Sequence, residues 1–443
     1  MNAKSSLFGL TGAVKDQLLR RLRAETVDQE PGRLDLGDVR PPERPVPPQF
    51  ADLEQFPGMS EFLGHRRAGE LLGVKSPFFR VHDGIPGAQT RIDGRDCLNF
   101  SNYNYLALNG HPEILAAAAQ AAERYGTSAS ASRMVSGERP LHGQLERGLA
   151  DFLGTEDCVA FVSGHATNVT VIGHLFGPRD LILHDALIHN SVLQGALLSG
   201  AKRLNFPHND WQALDDILGK VRGDFERVLV AVEGLYSMDG DYPDLPRFVE
   251  LRERHKFFLL VDEAHSIGIM GDTGRGIAEH FGLLRNCADF WMGTLSKVFC
   301  GCGGFIAGRA PLTDYLRHTA PGFLYSVGMS PPLAAASLKA LELLQREPER
   351  GAALRKAGRT FLDLCRARGL DTGLSVGLAI VPVIVGSSLG AVKLSNRLFD
   401  RGINVQPIFA PAVEECQSRL RFFLNCSHTD AQLDAAVKVL TSP

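Results

Sequence analysis

The chain has 443 residues, enough for a large catalytic body with an additional lobe. Its 47 Lys and Arg residues against 50 Asp and Glu residues give a net charge of −3, which argues against the positive field typical of proteins that bind nucleic acid or anionic lipid. With 44% hydrophobic and 22% charged residues, the composition is that of a globular protein and excludes wholesale disorder.

The N-terminal region predicts a helix and a linker ahead of the catalytic body. Leu7, Leu10 and Val14 begin an apolar stripe at helical spacing, which predicts an amphipathic helix within residues 1–27. Residues 28–50 are rich in proline and charge and predict an extended linker. Residues 51–97 are then predicted to form an N-terminal arm of the catalytic body.

Cysteine usage and hydropathy predict the cellular compartment. The eight cysteines are scattered through a chain too long to depend on disulfides, which is typical of free thiols in a reducing compartment. No apolar run approaches the roughly 20 residues that span a bilayer, and the first residues lack the apolar core and cleavage site of a secretory signal. The sequence therefore predicts a cytoplasmic protein without a transmembrane segment, and it contains no recognisable metal-ligand motif.

Short apolar runs alternate with helix-length amphipathic stretches over residues 98–330. The runs are nearly continuous, as in strands covered on both faces, so the sequence predicts an α/β fold with a mostly parallel central sheet and helices on both faces. Residues 331–443 begin with one long helical pattern to about residue 370 and continue with strand-like runs, which predict a smaller C-terminal α+β domain. The predicted strands are 158–162, 181–183, 228–232, 257–261, 289–292, 305–308, 379–385, 403–408 and 419–425.

Residues that bear chemistry follow three of the predicted strands, where ligands bind in a parallel sheet. Gly164 and His165 lead into a helix, an arrangement that holds a phosphate or forms a structural turn. Asp262, with His265 three residues later, fits a heterocycle site or a helix N-cap. Lys297 is either a solvated charge or a Schiff-base lysine. Together, a phosphate turn, a carboxylate and a lysine are the parts of a pyridoxal 5′-phosphate (PLP) site.

The order of the motifs resembles that of the α-oxoamine synthases, a PLP-dependent family of fold type I. This family includes 8-amino-7-oxononanoate synthase and serine palmitoyltransferase, and the resemblance runs from about Leu98 to about Val439. The matching stretches are NFSNYNYLAL (99–108), SRMVSGERPLH (132–142), SGHATN (163–168), EGLYSMDGDYPDL (233–245), VDEAHSIG (261–268), GDTGRG (271–276), GTLSK (293–297) and RLRFFLNCSHT (419–429).

The resemblance implies a catalytic set of four residues. Lys297 corresponds to the lysine that holds the cofactor as a Schiff base and then serves as general base. Asp262 corresponds to the carboxylate at the ring nitrogen, where its charge keeps the ring protonated. His265 corresponds to the histidine at the phenolic oxygen, and His189 to the one stacked over the cofactor face.

Further positions are implied to bind the cofactor. Gly164, His165 and Thr294 correspond to phosphate-side positions, and Ser237 to a small hydroxyl near the ring. Ser326, in FLYSVGMSPP, resembles the residue that a second subunit contributes to the phosphate, so the resemblance implies a homodimer.

The substrate side of the site follows from the same resemblance. Arg421 corresponds to the arginine that holds the amino-acid carboxylate, for which its planar fork is suited, and Asn104 to a substrate-binding position. The implied reaction is a decarboxylative condensation of serine, glycine or alanine with an acyl thioester, giving an α-amino ketone and carbon dioxide. The NYNYLAL motif favours the serine palmitoyltransferase type, whereas His165 and Phe423 depart from the family pattern.

Three questions stay open at this level. Another fold type I enzyme, an aminotransferase or aldol-cleaving lyase, would keep Asp262 and Lys297, whereas an inactive partner subunit would lack the lysine.

The N-terminal helix and proline-rich linker resemble those that join oxoamine synthase domains to carrier proteins in polyketide-type assembly lines. They predict a carrier-protein thioester as acyl donor, with coenzyme A as the alternative. Cys300 and Cys302, which flank Gly301, are interpreted as small packing residues.

Overall fold

The computed structural model describes residues 46–71 and 73–442, which belong to two units, Met1–Leu72 and Gly73–Pro443. The described part of the first unit contains two short 3₁₀ turns (Pro48–Ala51 and Leu53–Gln55) and helix α1 (Met59–Leu71). The predicted helix over residues 1–27 and the predicted linker up to residue 45 lie outside the described residues.

The strands of the second unit form three sheets. In chain order they are β1 (His82–Asp83), β2 (Gln89–Ile92), β3 (Arg95–Asn99), β4 (Asp157–Phe161), β5 (Leu181–Asp185), β6 (Lys202–Phe206), β7 (Val228–Glu233), β8 (Phe258–Asp262), β9 (Phe290–Thr294), β10 (Gly304–Gly308), β11 (Ile380–Ile384), β12 (Ile403–Asn404), β13 (Gln406–Ile408) and β14 (Arg419–Phe423).

Helices connect most of these strands. In chain order they are α2 (Pro112–Tyr125), α3 (Pro140–Leu153), α4 (Gly164–Leu175), α5 (Asn190–Ser199), α6 (Trp211–Val221), α7 (Leu245–His255), α8 (Ile277–His280), α9 (Ala310–Thr319), α10 (Pro321–Leu324), α11 (Pro331–Arg346), α12 (Glu349–Ala367), α13 (Ser388–Asp400) and α14 (Asp430–Thr441).

The central sheet has the strand order β4-β10-β9-β8-β7-β5-β6. Neighbouring strands run parallel from β9 to β6, and β10 runs antiparallel to both β4 and β9. The prediction of a mostly parallel sheet with helices is thus confirmed.

Strand β7 illustrates why the apolar runs of this sheet are continuous. Val228 and Val230 belong to one apolar cluster and Leu229 and Ala231 to another, and all four are fully buried. Because successive side chains of a strand point to opposite faces, both faces must be covered. Burial of a valine or leucine side chain contributes about 1.5–3 kcal/mol to the stability of the fold. Coverage of both faces therefore stabilises the central sheet.

The C-terminal part forms a small antiparallel sheet of order β11-β14-β13, which places β14 at its centre. Strand β12 instead pairs in parallel with β3 in a second small sheet of order β1-β2-β3-β12. The single strand predicted over 403–408 is therefore two short strands that join different sheets.

The long helix predicted from residue 331 to about residue 370 is in fact two helices, α11 and α12. The break falls at Glu347, which has a φ of −125°, and at Pro348, which precedes α12. Proline has no N–H for the helical hydrogen bond and its ring clashes with the preceding turn, so it ends one helix and begins another. The apolar periodicity of the sequence continues across the break, so the pattern predicted one helix instead of two.

Candidate active site

The carboxyl ends of β4, β5, β7, β8 and β9 meet at one edge of the central sheet, beside a cavity of about 400 Å³. Most of the residues singled out in the sequence line it: Gly164, His165, His189, Ser237, Asp262, His265, Thr294, Lys297 and Arg421. Asn104 lines a neighbouring cavity of about 370 Å³. In the described structure Ser326 lines neither cavity.

Asp262 ends β8 and is held from both sides as an acceptor. Its Oδ1 accepts from the Ala264 N–H at 3.0 Å, and its Oδ2 accepts from Asn168 Nδ2 at 2.9 Å. The residue is 4% exposed. These two hydrogen bonds fix the orientation of the side chain, so Asp262 presents its carboxylate to the cavity at a defined position.

Asn168, on α4, links Asp262 to His189. Its Nδ2 also donates to Ser191 Oγ at 3.0 Å, and the Ser191 hydroxyl donates to His189 Nδ1 at 2.8 Å. The Ser191 N–H reaches the same Nδ1 at 3.2 Å. Because Nδ1 accepts these bonds, the ring proton of neutral His189 lies on Nε2. Asn168 and Ser191 carried no individual role in the sequence interpretation, since their contacts join separate parts of the chain.

Lys297 follows β9 and is only partly accessible to solvent. Burial lowers the pKa of its amine to about 8, although the nearby carboxyl groups of Asp262 and Glu233 oppose this shift. Its Nζ lies 5.4 Å from the centre of the Tyr103 ring. The uncharged fraction of the amine at neutral pH is therefore far larger than for a lysine with the ordinary pKa of 10.5, and the uncharged form is the one that a nucleophile or base requires.

His265 is held by Tyr105, a residue that the sequence interpretation missed. The Tyr105 hydroxyl lies 2.8 Å from His265 Nδ1, and both residues are buried. Burial and the charge of Lys297 lower the pKa of His265 well below its usual value, while burial raises that of Tyr105. We assign the neutral tyrosine as the donor to Nδ1, an assignment that places the ring proton of neutral His265 on Nε2.

Replacing Tyr105 with phenylalanine is expected to lower kcat/KM about tenfold, because a lost buried hydrogen bond costs about 1–3 kcal/mol and frees the tautomer of His265. The change is also expected to alter the pH profile of kcat/KM, which a purely structural role would not do. Tyr315→Phe, at an exposed tyrosine that stacks on His174, is the matched control. An unchanged profile in Tyr105→Phe would rule out this role.

The N-terminus of α4 forms a close-fitting cradle. Ser163 caps the helix, its Oγ accepting from the Ala166 N–H at 3.3 Å. A Cβ added at Gly164 would lie 2.8 Å from Thr294 Oγ1, so only glycine allows this approach. Free N–H groups at a helix N-terminus, together with the Thr294 hydroxyl, suit a phosphate group.

Arg421, on the central strand β14, lacks an acidic partner within the described part of the chain. Its Nη1 donates to the Ser237 carbonyl at 3.1 Å and lies 3.2 Å from Met238 Sδ, and its buried Nε has no partner there. Arg419, two residues earlier, is paired with Asp239 at 2.6 Å. One arginine is therefore neutralised by the protein, and the other is available to an anionic ligand.

Glu233, at the end of β7, is a second buried acid in this cavity. It is paired in register with Asp262, and burial together with Asp262 raises its pKa well above the usual value. Its Oε2 accepts from the Ser237 N–H at 3.3 Å, while Oε1 is buried without a partner among the described residues. Glu233 therefore contributes a neutral carboxyl group, in contrast to Asp262.

His208 joins the end of strand β5 to the loop that follows β7. Its Nδ1 lies 2.8 Å from Asp185 Oδ1 and its Nε2 lies 2.8 Å from Asp241 Oδ2. Burial disfavours the charged ring, but hydrogen bonds to these two carboxylates raise the pKa of His208 to about 10. A charged imidazole thus ties the end of β5, four residues before His189, to the loop that contains Ser237.

This clamp predicts a specific pH dependence of stability. A pKa of about 10 in the folded state, above the usual 6.5, stabilises the fold fully below pH 6.5 and progressively less as the pH rises to about 10. We expect the free energy of unfolding in urea to fall over this range in the wild-type protein and to fall less in His208→Gln. His318→Gln, at an exposed histidine, should keep the wild-type slope. Identical slopes in the wild-type and His208→Gln proteins would contradict the clamp.

The residues of the cavity fit PLP. Asp262 would suit a pyridine nitrogen, the start of α4 would suit a phosphate group, and the amine of Lys297, with its lowered pKa, would suit an aldehyde. Neither cavity includes a metal cluster, since the described residues contain no group of three or more His, Cys, Asp or Glu side chains placed to hold a metal ion.

Comparison with known proteins places these features in a family. Residues 95–440 match the family model described as aminotransferase class I and II. A putative 8-amino-7-oxononanoate synthase of Gloeobacter violaceus is 38% identical over 370 residues, covering 82% of this chain and 92% of the relative. A serine palmitoyltransferase of Bacteroides thetaiotaomicron is 34% identical over 364 residues, covering 82% and 92%.

A solved structure agrees with these relatives. The serine palmitoyltransferase of Sphingomonas wittichii superimposes with a TM-score of 0.84 at 30% identity, covering 88% of this chain and 97% of that one. A second structure, of serine palmitoyltransferase with PLP, gives a TM-score of 0.84 at 29% identity over the same shares of the two chains. Over the described residues, no helix combines the length and apolar character that a membrane crossing requires.

Proposed function

This chain belongs to the α-oxoamine synthases of the class I and II aminotransferase family, and from that membership we propose which of its residues carry the reaction. The enzyme is a PLP-dependent acyltransferase. It condenses an amino acid with an acyl thioester and releases carbon dioxide, which leaves an α-amino ketone. When bound, the cofactor supplies the electron sink that stabilises negative charge at the amino-acid Cα.

Lys297 is the proposed anchor and base. Its Nζ would hold the cofactor through the aldehyde, and the same amine would accept the proton from the amino-acid Cα. The lowered pKa of about 8 supports this assignment, because only the uncharged amine accepts a proton. We therefore expect the rate at which the apoenzyme takes up PLP to rise with pH through about 8, as measured by stopped-flow absorbance. A midpoint near the ordinary lysine value of 10.5 would contradict it.

Asp262 and the two histidines are proposed to orient and polarise the cofactor. Asp262 would keep the ring nitrogen protonated, His265 would donate to the phenolic oxygen, and His189 would cover the ring face. The network from Asp262 through Asn168 and Ser191 to His189 supports this assignment, because it fixes the carboxylate and the imidazole relative to each other.

The phosphate and the substrate carboxylate are proposed to bind to different residues of the cavity. Gly164, His165 and Thr294 would hold the phosphate, and Ser237 would lie near the ring. Arg421 binds the amino-acid carboxylate, which the absence of an acidic partner among the described residues supports. Asn104 Nδ2 donates to the Pro86 carbonyl at 2.8 Å, and Asn104 Oδ1 accepts from the Asn109 N–H at 3.0 Å. Asn104 is therefore proposed to shape the substrate cavity.

A homodimer is proposed, with Ser326 reaching the phosphate site of a second copy. Tyr325 and Val327, on either side of Ser326, are 88% and 49% exposed, and Val135 is 82% exposed. Apolar surface of this kind is typical of an interface. Light scattering of the purified enzyme is expected to give twice the chain mass of 48.1 kDa. We also propose a cytoplasmic location, which the eight free cysteines of the described chain support.

The acyl donor is proposed to be a carrier-protein thioester that the N-terminal region helps to dock. Removing residues 1–48 is expected to raise KM for an acyl-carrier-protein substrate at least about tenfold, as loss of a docking contact of about 1.4 kcal/mol would do. Turnover of a small thioester analogue should be unaffected. If the shortened protein uses the carrier substrate as well as the full chain does, the docking role is wrong and coenzyme A becomes the favoured carrier.

The observation that carries the proposed function is that Asp262, Lys297 and Arg421 line the same cavity. Of these, Arg421 has no acidic partner among the described residues. Its test is mass spectrometry of products from serine, glycine and alanine, each labelled with ¹³C at the carboxyl carbon, with acyl thioesters. We expect label in carbon dioxide and none in an α-amino ketone product. Keto acids or aldol fragments formed without thioester consumption would instead identify an aminotransferase or a lyase.

A further inference from the structure

The segment that carries Ser326 is buried on either side of an exposed apex. Tyr325 and Val327, the neighbours of Ser326, are exposed, whereas Phe323 and Met329 are buried. The segment is therefore anchored at both ends and leaves its apex at the surface. This arrangement suits a side chain that acts on a second copy, provided that the anchors fix its position.

Hydrogen bonds hold the C-terminal side of this apex. The Gly328 N–H donates to the Ala131 carbonyl at 2.9 Å, and His142 Nε2 lies 2.8 Å from the Met329 carbonyl. Because His142 Nδ1 accepts from the Arg139 N–H at 3.1 Å, we assign the ring proton to Nε2, which then donates to this carbonyl. The C-terminal side is thus fixed to α3 and to the loop that precedes it.

Arg133 holds the N-terminal side through the ring of Phe323. Its guanidinium carbon lies 5.1 Å from the centre of that ring, a separation that suits a cation–π contact. Arg133 Nη2 donates to Glu138 Oε1 at 2.9 Å and to Glu146 Oε2 at 3.0 Å, and Nε and Nη1 donate to the same two carboxylates. A guanidinium held by two carboxylates has a fixed plane, so the ring beside it is fixed as well.

The ion pair of Arg133 with Glu146 is buried, and Glu146 is 3% exposed. A buried ion pair is a poor source of stability, because the loss of hydration offsets the attraction between the charges. Glu146 Oε1 also accepts from the Ala160 N–H on β4 at 2.7 Å, which joins the pair to the central sheet. The pair thus supplies a rigid position for the guanidinium rather than a large gain in stability.

Phe323 also contacts the strand that leads into the phosphate cradle of its own subunit. Its ring lies edge-on to Phe161, with the two ring centres 5.8 Å apart. Phe161 ends β4, two residues before Ser163, which caps α4. Phe323 is therefore held by two contacts, one to Arg133 and one to this strand, and they fix the position of the residues that follow it.

We propose that Arg133 is a positioning residue for the cofactor phosphate, because it fixes, through Phe323, the place of Ser326 at the phosphate site of a second copy. This inference deepens the proposed function and rests on the homodimer and on the role proposed there for Ser326. Since Ser326 would bind only the phosphate, Arg133 should affect the affinity for PLP and leave unchanged the affinity for pyridoxal, which lacks the phosphate.

The test measures the equilibrium affinity of the full-length apoenzyme for PLP and for pyridoxal by visible absorbance. Arg133→Lys keeps a charge between the two carboxylates but loses the planar group, so no buried charge is left unpaired. Phe323→Leu removes the ring and keeps an apolar side chain. In each variant we expect the affinity for PLP to fall about tenfold, as loss of one hydrogen bond to a charged group implies, and the affinity for pyridoxal to stay at the wild-type value.

The reference variant is Ser326→Ala, which is expected to show the same selective loss. Adding either Arg133→Lys or Phe323→Leu to it should lower the affinity for PLP no further, because all three changes act through one contact. Arg247→Lys is the matched control and should behave as the wild type. Arg247 is a half-exposed arginine that also pairs with a glutamate and lies 5.3 Å from an aromatic ring, that of Trp211.

The outcomes separate this inference from the proposals on which it rests. Wild-type affinity for PLP in Arg133→Lys and Phe323→Leu, beside a weakened Ser326→Ala, would overturn the role of Arg133 alone. Equal losses for PLP and pyridoxal, additive losses in the double variants, or a monomer mass by light scattering would overturn it as well. Unchanged PLP affinity in Ser326→Ala would overturn both roles. The expected affinities in an enzyme that turns over no thioester would support the inference while refuting the proposed reaction.

Discussion

Replacing Lys297 with alanine is expected to lower kcat by about 100-fold to 10,000-fold, the usual contribution of a positioned general base. The purified variant should also lose the visible absorbance of covalently held PLP. Both losses have one cause, because the same Nζ is proposed to anchor the cofactor and to remove the Cα proton. The measurements are steady-state kinetics and the absorbance spectrum of protein reconstituted with PLP.

The matched control for this prediction is Lys356→Ala, at a lysine on α12 whose side chain is 74% exposed. It should match the wild type in spectrum and rate. A Lys297→Ala protein that kept both its absorbance and its turnover would contradict the assignment. Urea unfolding should show that the variant is folded. Burial disfavours the charged form of the Lys297 amine and lowers its pKa to about 8, so its removal takes away no stabilising charge.

Replacing Asp262 with asparagine is expected to lower kcat at least about 100-fold, since an electrostatic partner placed at developing charge contributes 10²–10³ to the rate. Asparagine keeps the shape of the side chain and removes its charge, so the ring nitrogen of bound PLP is expected to lose its proton at neutral pH. The amide also presents a donor to Asn168 Nδ2, which now donates to Asp262 Oδ2 at 2.9 Å.

Two readouts separate this electrostatic role from a structural one. The absorbance of bound PLP is expected to titrate at lower pH in Asp262→Asn than in the wild type, whereas a packing defect alone would change only stability. Asp314→Asn, at a side chain that is 71% exposed, serves as the control. An Asp262→Asn enzyme with the wild-type kcat, and with the wild-type pH titration of the PLP absorbance, would contradict the role proposed for the carboxylate.

The central sheet was predictable because its strands are buried on both faces. The run of residues 228–232, for example, contains only apolar side chains. Strand β7 (Val228–Glu233) coincides with this run almost residue for residue. Their carboxyl ends then had to share an edge, which placed Asp262 and Lys297 together before any contact was known. Local pattern and one topological rule were sufficient for this part of the site.

The supporting residues were not predictable in this way. Tyr105 contacts His265 across 160 positions of sequence, and Asn168 contacts Asp262 across 94. Neither separation has a periodic signature, so the pairs emerge only when the chain is folded. His208 is similar, because one of its two carboxylates ends strand β5 and the other lies in the loop after β7. The break between α11 and α12 was missed for the opposite reason, since an apolar stripe that continues across Pro348 concealed a local signal.

The most direct measurement of the central claim is the identity of the residue that carries the cofactor. Treating the purified holoenzyme with borohydride makes the link between the lysine and PLP permanent, and peptide mass spectrometry then locates the modified residue. The account predicts a single modified peptide, containing Lys297, that is absent when the enzyme is first freed of PLP. Modification of a different lysine, or of none in an enzyme that still turns over, would contradict it.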